Sequence, residues 1–73
     1  MNKIKIGCII KASQPYFIDI EGYDTFISVH LNIPFIVLDI LLMGNNVCTL
    51  KALTTDGLIG IVTMDLQIME IVS

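Results

Sequence analysis

The chain has no arginine and no tryptophan, and only four lysines among 73 residues. Charged residues make up 15% of it, against about 25% in an ordinary soluble domain. Each shortage excludes something. A phosphate-binding face needs many cationic contacts, and four lysines in a chain of net charge −3 do not supply one, which argues against nucleic acid as a partner. Three of the lysines, Lys3, Lys5 and Lys11, fall in the first eleven residues and read as the solvated side of a strand and its end. The two cysteines, Cys8 and Cys48, have no CxxC or CxxH spacing. With His30 they are too few and too scattered for a zinc site, so no metal or cofactor is expected. They read as two reduced, buried thiols in a reducing, cytoplasmic setting rather than as a disulfide.

Long uninterrupted apolar runs are also missing. The most apolar stretch, residues 26–43, is broken by His30, Asn32, Pro34 and Asp39, whereas a membrane span needs about 20 largely apolar residues. The run after Lys3 and Lys5 is too short for a signal peptide. Alanine occurs twice, but Ile, Val and Thr together number 24. β-branched side chains are stiff at χ1 and pack well on a pleated surface, so the composition predicts strands.

What is abundant is apolar side chain: 55% of the residues are hydrophobic and mean hydropathy is +0.84. A domain of this size removes only about 60% of its unfolded-chain surface from water. Some apolar surface must therefore face outward, and such a patch marks an association surface.

No repeat, linker or low-complexity segment is visible, so residues 1–73 read as one domain. Residues 3–10 alternate, with Lys3 and Lys5 on one side and Ile4, Ile6, Cys8 and Ile10 on the other, as a half-buried strand in which Gly7 marks a bulge or close approach. After Ser13-Gln14-Pro15, residues 16–21 and 26–31 form the arms of a hairpin. A four-residue loop sets Ile20 opposite Ile27, Ile18 opposite Val29 and Tyr16 opposite Leu31 on one face. The other face carries Phe17, Asp19, Glu21, Phe26, Ser28 and His30. Residues 35–43 read as a strand or, by periodicity alone, a short helix. Gly44-Asn45-Asn46 is a turn. Residues 48–54 alternate with Cys48, Leu50 and Ala52 inward. Thr55-Asp56-Gly57 is a tight turn with Gly57 at positive φ. Residues 58–63 form a strand, 64–66 one turn of 3-10 helix, and 67–72 a last strand.

That order, and the run Gly57-Leu58-Ile59-Gly60-Ile61-Val62, resembles SH3-like barrels: a distal turn and fourth strand leading into a short 3-10 turn and a last strand. The resemblance implies an all-β, five- to seven-stranded barrel with a long first hairpin; an OB-like barrel or another small sheet is the alternative. The peptide-binding motif of SH3 domains is not reproduced: its Trp is absent, and Tyr16, Tyr23, Asp19, Glu21 and Asp24 do not have its spacing. The barrel carries over and the ligand does not.

No set of residues meets the requirements of a catalytic site. Asp19, Glu21 and Asp24 lack the looped oxygen pattern of a cation site and read as a solvated hairpin face. His30 lies diagonal to Asp19, but no nucleophile joins the pair. Asp39, alone among apolar neighbours, reads either as a guard against edge pairing or as the rim of an interface. Strand parity places Ile59 and Ile61 outward. Taking Phe35, Val37, Asp39 and Leu41 as outward extends this to Val37 and Leu41, with Val47 and Leu53 on the next strand, unless the long hairpin folds over that face. The expectation is a non-enzymatic assembly module, a homo-oligomer with a dimer as its default, using Val37, Leu41, Ile59 and Ile61. The alternative is a monomer that binds a peptide or protein through residues 15–24, at Tyr16, Asp19, Glu21, Tyr23 and Asp24; a second alternative is a small nucleic-acid-binding barrel, against which the shortage of cations weighs.

Overall fold

In the computed structural model, which describes residues 4–22, 26–29 and 33–72, the β-branched composition does become strands. They run in the order β1 (Ile9–Ala12), β2 (Tyr16–Ile20), β3 (Phe26–Val29), β4 (Phe35–Met43), β5 (Val47–Thr54), β6 (Ile59–Asp65) and β7 (Met69–Ile71), with a 3-10 turn, η1 (Leu66–Ile68), before β7. All pairings are antiparallel, in one sheet ordered β3-β2-β6-β5-β4-β1-β7 among the described residues. This is a small all-β domain.

The connectivity forces the sheet to curl. β1 and β2 lie four strand positions apart, about 19 Å on a flat sheet at ~4.8 Å per strand. Only residues 13–15 join them, a link from Ala12 to Tyr16 that reaches at most ~14 Å when fully extended. The result is a half-barrel whose concave side holds the core: Ile10, Ile18, Phe35, Val37, Leu50 and Val62 are all at most 1–2% exposed. The Tyr16 ring meets Phe35 edge-on, with centroids 5.8 Å apart.

Four sequence expectations are corrected. The first strand is not 3–10 but Ile9–Ala12. Gly7 sits at φ +93°, and the Cys8 N–H bonds back to the Lys5 carbonyl at 3.1 Å, so the chain turns there and leaves Ile6 65% exposed.

The hairpin register is displaced by two residues: Tyr16 faces Val29 and Ile18 faces Ile27. A two-residue shift preserves every face, so β2 still alternates with Tyr16, Ile18 and Ile20 inward.

β4 is a strand, but not a regular one. Val37 faces Ala52 while Asp39 faces Lys51, and Ile40 faces Leu50 while Leu42 faces Thr49. Leu38 and Leu41 are therefore extra residues, each a bulge that bends the strand and reverses its parity. Asp39 does face out, but Phe35 and Val37 face in; the expected outward position of Val37 is wrong for this reason.

The 3-10 turn falls two residues later than expected, because β6 continues to Asp65. The Asp65 carboxylate then accepts from the Gln67 N–H at 2.9 Å and caps the turn. The last strand shortens to Met69–Ile71.

The hairpin does not fold over the sheet. It joins the edge of β6 through Asp19 opposite Ile61 and Ile20 opposite Gly60. The approach is close enough that a Cβ on Gly60 would lie 2.7 Å from the Asp19 carbonyl oxygen and 2.7 Å from Ile18 Cγ1. The crossing leaves no room for a side chain, which is why residue 60 is a glycine.

Candidate functional site

With the hairpin spent as an edge, no described layer covers the outer, convex side of β4, β5 and β6. The pairings lay this face out in rows. At one end, Ile9, Ile36, Leu53 and Ile59 stand opposite one another across β1, β4, β5 and β6. Ile36 is 38% and Ile59 36% exposed. With Pro34, Phe35, Thr54 and Thr55, three of these residues (Ile9, Ile36 and Leu53) line an open, mostly apolar pocket of about 170 Å³.

The next row is charged: Asp39, Lys51, Ile61 and Asp19 face one another in sequence. Lys51 Nζ lies 3.5 Å from a Glu21 carboxylate oxygen, and the Asp39 carboxylate accepts from the Ile40 N–H at 2.8 Å. Beyond it come Leu42, Thr49 and Thr63, the two threonine hydroxyls 3.1 Å apart. The far end is apolar again. Leu41 is 50% exposed, Leu42 60% and Val47 39%, with the exposed Asp65 opposite Val47; Met43, 49% exposed, stands opposite the buried Cys48 and so on the concave side, beside the exposed turn Gly44-Asn45-Asn46.

Of the four expected interface residues, the structure keeps three at the surface and separates them. Ile59 belongs to the first apolar row, Ile61 is half-buried inside the charged row, Leu41 lies at the far end, and Val37 is core. Leu42 and Met43 were missed. The two bulges reverse parity twice, so Leu42 faces out as it would in a regular strand with Val37 inward, and Met43, opposite the buried Cys48, is exposed at the strand end; nothing distinguishes Leu38 or Leu41 from their neighbours as bulge formers.

The expected ligand loop is likewise dispersed. Tyr16 is core, and its burial pushes the phenol up to about 12. Asp19 is exposed, and Glu21 is engaged by Lys51. Tyr23, Asp24 and His30 lie outside the described residues. The neighbour of Tyr16 is the informative one. Phe17 is 65% exposed and lines a groove of about 410 Å³ between β2 and β6, with Pro15, Asp19, Ile61, Asp65 and Ile68.

The thiols of Cys8 and Cys48 are both free. Cys48 is fully buried and donates to Met69 Sδ at 3.6 Å; burial pushes its thiol up, away from the thiolate that reacts or binds metal.

Among the described residues, no helix is long and apolar enough to cross a membrane. No family model, curated protein or solved structure matches the chain.

Proposed function

We propose that this chain is a non-enzymatic assembly module that associates with copies of itself through the outer face of its sheet. The observation that carries the reading is the far end of β4 and β5, where Leu41, Leu42 and Val47 are each 39–60% exposed on that face. Burying such a side chain from full exposure contributes about 1.5–3 kcal/mol; these three are already about half-buried, so each adds about half of that before the costs of association. Residues 40–50 contain no charge, and the carboxylate on this end is Asp65, opposite Val47. The test is absolute mass by light scattering at low and high micromolar concentration: an oligomer supports the reading, and a monomer throughout removes it.

The SH3-like form of the barrel belongs to the same proposal. β1 lies between β4 and β7, β4-β5-β6 form a meander, a hairpin separates β1 from β4, and a 3-10 turn precedes the last strand. Each feature agrees with that topology.

The groove beside Phe17 favours a second reading, a monomer that binds an extended basic segment against Phe17 and Ile61, flanked by Asp19 and Asp65. Backbone chemical-shift changes confined to β2, β6 and η1 on adding a lysine- and proline-rich peptide would support it. Nucleic acid fits less well: Lys11 and Lys51 each lie within 4 Å of a carboxylate, on Glu70 and Glu21.

A further inference from the structure

β2 and β6 meet at one end and part at the other. Their ladder runs only through Asp19 opposite Ile61 and Ile20 opposite Gly60, with the Glu21 N–H bonded to the Ile59 carbonyl at 3.0 Å. Continued at the same register it would set Phe17 opposite Thr63 and Pro15 opposite Asp65, but it stops. Pro15 has no N–H to give to such a pairing. The groove of about 410 Å³ opens between these two unpaired halves, and the buried Tyr16 and Met64 help to line it.

The parity of β6 decides which backbone groups face that groove. In an antiparallel strand the N–H and C=O of one residue point to the same neighbour, and successive residues alternate. Leu58 and Leu66 bond toward the β5 side, to Thr54 and Asn46, whereas Ile59 bonds toward β2. Thr63 shares the parity of Ile59 and so turns its N–H and C=O toward β2, where the ladder supplies no partner. The Asp65 N–H points the same way. An edge of this kind is a template for a further strand.

The side chains around the edge set the chemistry of what would lie along it. Phe17, 65% exposed, lines the groove with Asp19 and Asp65. Among the described residues no lysine lies within 4 Å of either aspartate; Lys51, across Ile61 from Asp19, reaches Glu21 instead. Side chains two apart on a strand share a face. A segment paired to Thr63 therefore sets the residue at that position against Phe17, and its second neighbours on either side within reach of Asp65 and Asp19.

Resting on the reading of this groove as a peptide site, we infer that its ligand is an extended segment that adds to the open edge of β6, antiparallel to it, with an apolar residue flanked two places away on each side by a lysine or arginine.

The probe is the acetylated and amidated peptide Thr-Lys-Thr-Leu-Thr-Lys-Thr, titrated into the isotope-labelled full chain. Saturable shifts in β2 and β6 are expected, with slower hydrogen exchange at the Thr63 and Asp65 N–H groups. Methylating the leucine nitrogen removes the donor to the Thr63 carbonyl and should weaken binding about tenfold. Asp19→Asn, and Asp65→Asn, which keeps a capping side chain on η1, should each weaken it about two- to fivefold. If the parent peptide does not bind at millimolar concentration, or binds Phe17→Ser as well as wild type, the groove reading itself fails. If it binds in the groove but N-methylation costs nothing, or the Thr63 and Asp65 amides exchange as before, strand addition is overturned while the groove remains a peptide site. An isomer with adjacent lysines that binds equally well, or aspartate variants that bind as wild type, would overturn the basic pattern in the same way.

Discussion

β4 and β6 flank the same central strand and are both rich in Ile, Leu and Val, yet they behave differently. β6 alternates without interruption, with Gly60, Val62 and Met64 buried and Ile59, Thr63 and Asp65 exposed. β4 alternates for three residues, then gains Leu38 and Leu41 and turns both sides of its far half toward solvent. β6 pairs one-to-one with β5 over its whole length. Alternation reports burial only while pairing is one-to-one; each added residue reverses it. The irregular strand is also the one that bends the sheet, and the second bulge sets Leu41 at the surface beside Leu42.

The sharpest way to break this comparison is a matched pair within β4. Simple alternation puts Val37 and Leu41 on one face; the bulges put Val37 in the core and Leu41 at the surface. Val37→Asp should cost several kcal/mol, since it buries an unpaired charge, and should leave the chain unfolded in circular dichroism. Leu41→Asp should change stability by no more than about 0.5 kcal/mol, as a surface substitution does, in urea denaturation of the dilute protein. Equal losses would remove the bulges from the account.

The regular strand has its own test at the crossing with β2. Gly60→Ala places a methyl group against the Asp19 carbonyl and Ile18, where overpacking costs about 1–3 kcal/mol. An unchanged denaturation midpoint would mean that the hairpin does not lie against β6.

Adjacent residues of β2 sharpen the contrast between faces. Tyr16 points into the core and Phe17 into solvent. With Tyr23 changed to Phe, Tyr16 is the remaining tyrosine, and its phenol should titrate near 12 rather than 10 in ultraviolet absorbance. Because the folded state holds this proton more tightly, the contribution is complete below pH 10 and falls as pH rises toward 12. A midpoint at 10 would place the ring at the surface.

The smallest effect belongs to the charged row. Glu21 is exposed and Lys51 partly so, so Lys51→Met should alter stability by less than about 1 kcal/mol. Its role in this account is to separate the apolar ends.

Much of this was legible in the sequence. The β-branched excess gave the fold class, and the inward set of β5, Cys48, Leu50 and Ala52, is fully buried as alternation predicts. The outward side of Ile59 followed from Gly60 and Val62. The hairpin faces survived a register error because it was an even one. What stayed hidden had no local signal. Leucines 38 and 41 look like any strand leucine. Gly7 suited a bulge as well as a turn. Phe17 stood in an alternating run whose polar face gave no hint that a groove would open beside it. Each depends on pairing with residues distant in the chain.

The central claim is that the outer face of this sheet is built for contact with other copies of the chain. Light scattering on the wild-type protein across low to high micromolar concentration tests it most directly. The account predicts a mass that grows with concentration above that of one chain, and a mass that stays at 8.1 kDa throughout would contradict it.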